Sequence, residues 1–203
     1  MALASRDQPE ATSLFKLLTG LKFYSEIEIR EKMKVVHRFV TQNTPAVVRS
    51  VRRGSAERRA DILVTYLDGN AKSGHNYAAK YAEENLISTA NVVSPEEALR
   101  IVREVDLAGD ARYKAIVIVD DVVATGHTMS NNLDRFLKEG KHFFVHLGVV
   151  VLAVAVAATA EGEGHVRDVL HRYDNIKVDL RICDPITLTD YAFEKTNGLW
   201  ETE

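Results

Sequence analysis

A single cysteine, Cys183, excludes an internal disulfide and any metal site built on several thiolates. It falls in an apolar strand pattern and reads as a small core residue. Net charge is also lacking. The 26 Lys and Arg stand against 29 Asp and Glu, leaving −3, too little for a field that recruits nucleic acid or an anionic membrane. The amino terminus lacks the charged-then-apolar pattern of a secretory signal, so cytoplasmic residence is the expectation. There is no internal repeat and no low-complexity segment. Only residues 143–160, eighteen largely apolar positions, approach the length of a membrane span. They include His146 and Gly148, are rich in Val, and are bounded by Lys138, Glu139 and Lys141 on one side and Glu161 and Glu163 on the other. A buried parallel strand with its flanks is therefore expected there, not a span.

What remains is an ordinary globular composition, 46% apolar and 27% charged, on a chain of 203 residues that can bury one real core. Thr12 or Ser13 starts a short helical pattern with Leu14, Phe15, Leu18 and Leu21 on one face. Ser25 with Glu28 makes a capping box ahead of a stripe of Ile29, Met33, Val36 and Val40. Pro45 and Gly54 bracket an arginine-rich connection. Strands and helices then alternate. Strands are expected at 62–67, briefly at 90–93, from Ala115, at 149–157 and at 176–183. Helices are expected through Tyr77, Ala78 and Tyr81, at 95–105 behind the strong start Ser94-Pro95-Glu96-Glu97, and through Val166, Val169, Leu170 and Tyr173. The fold class is α/β: a parallel sheet of about five strands flanked by helices. A helical N-terminal region (1–60) precedes the α/β core and its tail (61–203).

Residues 116–128 concentrate the chemistry. Four β-branched residues lead to Asp120 and Asp121, a short loop from Val122 to Gly126 follows, and Thr128 opens a helix with Met129, Leu133, Phe136 and Leu137 on one face. Ligands of such folds sit beyond the carboxyl ends of the strands. The helix amino terminus offers N–H groups and a partial positive charge to a phosphate. Two carboxylates beside it suit a polyhydroxyl sugar or a divalent cation. A second polar loop, Asp68-Gly-Asn-Ala-Lys-Ser-Gly-His75, follows the first core strand. Gly69 and Gly74 give it backbone freedom, Lys72 a positive charge, and Ser73 a cap or donor.

All thirteen positions of 116–128 fit the motif of the type I phosphoribosyltransferases, which this stretch resembles. That family binds phosphoribosyl diphosphate (PRPP) through this loop. The resemblance implies that Asp120 and Asp121 hold the ribose 2′ and 3′ hydroxyls, with Mg²⁺ bound nearby through ligand oxygens. It implies that Ala124, Thr125, Gly126, His127 and Thr128 hold the 5′-phosphate. By position in the fold, Lys72, Ser73 and Gly74 would meet the diphosphate, although these residues do not match the family's common versions of that loop. Catalytic parts would fall to Asp120, Asp121 and Lys72. The loop at 68–75 also resembles a divergent phosphoribosyltransferase-like branch encoded with bacterial conflict and phage-defence genes.

Two departures qualify the catalytic reading. Several purine-using members carry Asp at position 124; here it is Ala, as in loops resembling adenine phosphoribosyltransferases. The family's mobile hairpin over the reaction centre has no signal here: that interval holds helix 95–105 and a connector, Asp106 to Lys114. Arg100, Arg103, Arg112 and Lys114 read as surface charge, and His75 as a surface residue. The run Arg49 to Arg59 reads as a solvated connection, without the aromatic interleaving that single-strand stacking needs. The base site falls to a hood from either terminus, the N-terminal region or the tail with Tyr191, Phe193 and Trp200. The partners implied are PRPP or a related ribose phosphate, with a protein partner or a homo-oligomer on the second reading. That reading is a non-catalytic sensor of PRPP or nucleotide, or a defence component. Neither nucleic acid nor a membrane is the expected partner.

Overall fold

A computed structural model describes residues 24–45, 49–53, 56–67, 72–110, 112–187 and 190. The helical pattern after Thr12, loop residues Asp68–Ala71, the side chains of Lys72 and Ser73, and the tail with Tyr191, Phe193 and Trp200 lie outside the described residues. The chain divides into two compact units, Glu26–Pro185 and a second made of Met1–Ser25 with Ile186–Glu203. In the second, the Asp190 carboxylate accepts from the Thr187 N–H at 2.8 Å and from its hydroxyl at 3.0 Å.

The larger unit begins with α1 (Glu26–Asn43), whose stripe Met33, Val36 and Val40 is buried. The arginine-rich segment expected as a connection instead forms two antiparallel strands, β1 (Ser50–Arg53) and β2 (Ala56–Arg59). The main sheet follows: β3 (Ile62–Thr65), α2 (Lys72–Glu84), a 3-10 turn (Thr89–Asn91), α3 (Pro95–Leu107), β4 (Ala115–Val123), α4 (His127–Leu147), β5 (Val150–Thr159), α5 (Ala160–Leu170) and β6 (Val178–Ile186). Strand order is β3-β4-β5-β6, with β3, β4 and β5 parallel. Among the described residues the sheet has four strands, one fewer than the approximate count expected. The segment expected as a short strand at 90–93 makes one isolated parallel bridge to the outer edge of β3, Val64 to Val92, after another from Arg59 to Ile87. Asn91 also donates its side-chain amide to the Ile62 carbonyl at 2.8 Å, so side chain replaces ladder there.

Alternation along β4 sorts the core onto two faces. Ile116 and Ile118 pack with Ala98 and Val102 of α3, Leu133, Phe136 and Leu137 of α4, and Val166 of α5. Ala115, Val117 and Val119 pack with the α1 stripe and with Ala78, Tyr81 and Ala82 of α2. Ser94 caps α3 as its sequence suggests, accepting from the Glu97 N–H at 3.2 Å with Pro95 in the first turn. The apolar run at 143–160 is divided between the end of α4 and all of β5. Among the described residues, no helix is long and apolar enough to cross a membrane.

Two polar groups on the α1/α2 side, one buried and one partly buried, are testable. Asp61 is fully buried and takes a two-point ion pair from Arg59, Nε to Oδ1 at 2.9 Å and Nη2 to Oδ2 at 3.0 Å. Asp61→Ala leaves a largely buried guanidinium without its counter-charge, which costs about 3 kcal/mol; the expected result is a matching fall in the urea midpoint. Its companion is His37, bonded through Nδ1 to the Tyr81 hydroxyl at 2.7 Å. Burial, with the Arg59 charge second, pushes the imidazole from 6.5 down to about 4. Between those values the unfolded chain binds a proton that the folded chain refuses. This contribution is complete above pH 6.5 and is lost as the pH falls toward 4. At about 1.4 kcal/mol per unit it amounts to roughly 3 kcal/mol. Unfolding curves from pH 7 to 4 should therefore fall more steeply for the wild type than for His37→Gln.

Candidate functional site

The sheet changes direction beside β3. From β3 the chain passes through α2 to the outer edge of β3, then returns through α3 to β4. Accordingly α2 and α3 pack on opposite faces of the sheet. A crevice at such a reversal, outside the carboxyl ends of the strands, is the usual ligand position in open α/β sheets. The register deepens it. The last residue of β3, Thr65, pairs with Ile118, but β4 continues to Val123 paired only with β5. Asp120 and Asp121 lie in this overhang. They stand inside the strand, not at its end as expected, and the connecting loop is correspondingly shorter, residues 124–126.

Each carboxylate is oriented by the next peptide. Asp120 Oδ1 accepts from the Asp121 N–H at 2.8 Å, and Asp121 Oδ1 from the Val122 N–H at 2.8 Å. Asp121 continues the β4 parity that faces α2. There Tyr77 titrates above its ordinary value, through burial first and the Asp121 charge second. Tyr77 read in sequence only as part of a helix; its place opposite Asp121 depends on the sheet reversal, which no local pattern encodes.

The loop after β4 is built by backbone contact. Gly126 takes φ +74°, a left-handed conformation that favours glycine, and is the N-cap of α4. A Cβ there would lie 2.6 Å from the Gly162 carbonyl oxygen. Reciprocally, a Cβ on Gly162 would run into the carbonyl oxygens of Val123 and Ala124. The loop therefore lies directly on the first turn of α5. Thr159 joins the two: its hydroxyl donates to the Ala124 carbonyl at 2.5 Å and accepts from the Gly162 N–H at 2.9 Å. His165 Nδ1 meets the Thr125 carbonyl at 2.7 Å. Ala124, Thr125, His127 and Thr128 remain exposed on the outer side. The Thr159 cap, with Glu161 and Glu163 in the first turn behind it, was a legible helix start that the apolar run obscured.

Across the crevice, Lys72 and Ser73 begin α2. Gly74 is buried against Tyr66, whose Cβ would sit 3.1 Å from an added Cβ. His75 is exposed and stacks on Tyr66, ring centroids 5.8 Å apart. Asn132 of α4 donates to the Leu67 carbonyl at 2.7 Å, holding the residue that leads into loop 68–71. A polar cleft of about 290 Å³ opens beside this contact, between Tyr66 and Leu67, Ser94 and Pro95 of α3's start, and Asn132 of α4; neither Asp120 nor Asp121 lines it. Between β3 and β4 the described residues carry α2, the 3-10 turn, α3 and a connector.

Cys183 is partly buried in β6, and burial first raises its thiol above the ordinary value, against a nucleophilic part. In the basic run, Arg59 is held by Asp61, and Arg58 donates to the Ile87 carbonyl at 3.2 Å. Both serve the fold.

No curated protein matches the chain. Among solved structures, the chain is similar to the AQ2163 protein from Aquifex aeolicus, with 14% identity over 94% of this chain and 90% of that one, at a TM-score of 0.43. The family described as PRTase-CE matches residues 4–203. The chain belongs to this family, which is of phosphoribosyltransferase type.

Proposed function

We propose that the crevice binds PRPP, or a related ribose 5-phosphate, with Mg²⁺, and that the protein transfers the phosphoribosyl group to or from a nitrogen of a base. The overhang of β4 past β3 carries this reading, because it presents two oriented carboxylates beside a helix amino terminus in one crevice. Asp120 and Asp121 would accept hydrogen bonds from the ribose hydroxyls. The N–H groups of residues 125–128 and the Thr125 and Thr128 hydroxyls would take the 5′-phosphate, with Gly126 allowing close approach. Lys72, Ser73 and Gly74, at the start of α2, would face the diphosphate.

In the transfer, the bond from C1 to the diphosphate oxygen breaks with its electron pair leaving on the diphosphate. A base nitrogen bonds to C1 and loses its proton to water. The protein contributes position and charge more than proton transfer. The hard oxygen donors of Asp120 and Asp121 fit Mg²⁺, held through ligand or water; when bound it would supply positive charge to the departing diphosphate.

A second reading, a sensor of PRPP or nucleotide that acts as a regulator or defence component, has its own support. Ala124 gives the loop no proton carrier, and the described interval between β3 and β4 carries α3 in place of a covering hairpin. Incubation with PRPP, Mg²⁺ and a panel of bases separates the two. Base-dependent diphosphate release supports the transferase. Thermal stabilisation by PRPP without release supports the sensor, and neither effect rejects both.

A further inference from the structure

We propose that His127, Glu161 and His165 form a binding site for a divalent transition-metal ion of the zinc class, separate from any Mg²⁺ beside the acidic pair. Their candidate ligand atoms all lie within 4.8 Å of one another. Glu161 and His165 are four residues apart on α5 and share a face. His127 is the first residue of α4, and its ring lies 4.5 Å, centroid to centroid, from that of His165. Two imidazoles and a carboxylate are a common three-ligand set for Zn²⁺ and its neighbours, with a further position left open.

His165 carries the second observation. Its Nδ1 lies 2.7 Å from the Thr125 carbonyl, a group that can only accept. A proton therefore sits on Nδ1, and in the neutral ring Nε2 keeps the lone pair. A ring nitrogen bonded to a backbone carbonyl is how metal-ligating histidines are usually fixed. The scaffold is fixed as well. The two helix starts that carry the ligands are joined by the Gly126–Gly162 contact and by the Thr159 hydroxyl bridge. Ligands on a tetrahedral ion stand about 3.4 Å apart for bonds of about 2.1 Å. The trio must close by at most about 1.4 Å from the 4.8 Å bound, which the exposed His127 and Glu161 side chains can do by rotation. Two helix amino termini disfavour a bare cation, whereas Glu161 and Glu163 offset them. The same field favours an anionic oxygen at the open position.

The test is Zn²⁺ alone, titrated into the untagged full chain in competition with a chromophoric chelator. One saturable equivalent is expected. His127→Gln and Glu161→Gln each weaken it by about tenfold or more, and Co²⁺ bound in its place shows visible absorption that both variants lose. Both residues are exposed, so the variants keep the fold, which melting curves verify. The control is His142→Ala, because His142 and His146, which stack on α4 with centroids 6.2 Å apart, are another close histidine pair among the described residues. This variant should bind Zn²⁺ as the wild type does. Absence of a saturable equivalent, unchanged affinity in the His127 and Glu161 variants, or loss of binding in His142→Ala overturns the site. None of these outcomes depends on PRPP.

Discussion

Gly162→Ala lowers the stability of the chain by about 3 kcal/mol and weakens PRPP binding about 100-fold. No residue of the acidic pair is touched, and Gly162 lies on a different helix from the loop it supports. The new Cβ would meet the carbonyl oxygens of Val123 and Ala124, which are backbone atoms and cannot turn aside as a side chain can. Either α5 moves away or the end of β4 does. The first opens the core beneath Val166 and Val169, and the second displaces the loop after β4 proposed to take the phosphate. Both disturb the Thr159 bridge to Ala124. Gly164, with nothing within 4 Å of an added Cβ, is the control: Gly164→Ala should change neither quantity. Urea unfolding and calorimetric titration of both variants measure the two effects side by side.

Asp121→Asn lowers any phosphoribosyl transfer about 1,000-fold and PRPP affinity roughly 10- to 100-fold, with stability nearly unchanged. The asparagine side chain keeps an oxygen that can accept from the Val122 N–H, the bond that orients Asp121. What it loses is the charge that, on the proposed function, strengthens hydrogen bonds to ribose hydroxyls and balances the cation and the positive character developing at C1. The separation of a large functional loss from a small structural one distinguishes a ligand-facing carboxylate from a capping one. Removal of the Asp121 charge should also lower the Tyr77 hydroxyl titration, since that charge is one of the two causes holding it up. A pH titration of the tyrosine absorbance in the variant measures this without any ligand.

These predictions divide along the same line as the sequence's legibility. The acidic pair, the loop and α4 were readable because each depends on its neighbours in the chain. Ile116 and Ile118 alternate, Met129, Leu133, Phe136 and Leu137 repeat at helical spacing, and Gly126 stands where a left-handed cap is needed. The start of α3 was readable from Ser94, Pro95 and Glu97 for the same reason. What was not readable depends on register or on distant packing. β4 was expected to stop at the acidic pair, but β5 supplies partners as far as Val123, so the pair sits within the strand. The fifth strand failed because the stretch at 87–92 meets β3 only at single bridges and relies on Asn91 for the rest. β1 and β2 were hidden by their arginines, of which Arg59 is neutralised by Asp61 from the next segment. Tyr77, Thr159, Gly162 and His165 reach the site from other elements, and no spacing in the chain links them to residues 116–128.

The central claim is that the overhang of β4 is a ribose-phosphate site, whether or not transfer follows. Calorimetric titration of PRPP with Mg²⁺ into the full chain, repeated with Asp121→Asn, tests it most directly. The account predicts one saturable site in the wild type, weakened at least about tenfold by the substitution at equal folded stability. Absence of saturable binding in the wild type, or equal affinity in the two proteins, contradicts it.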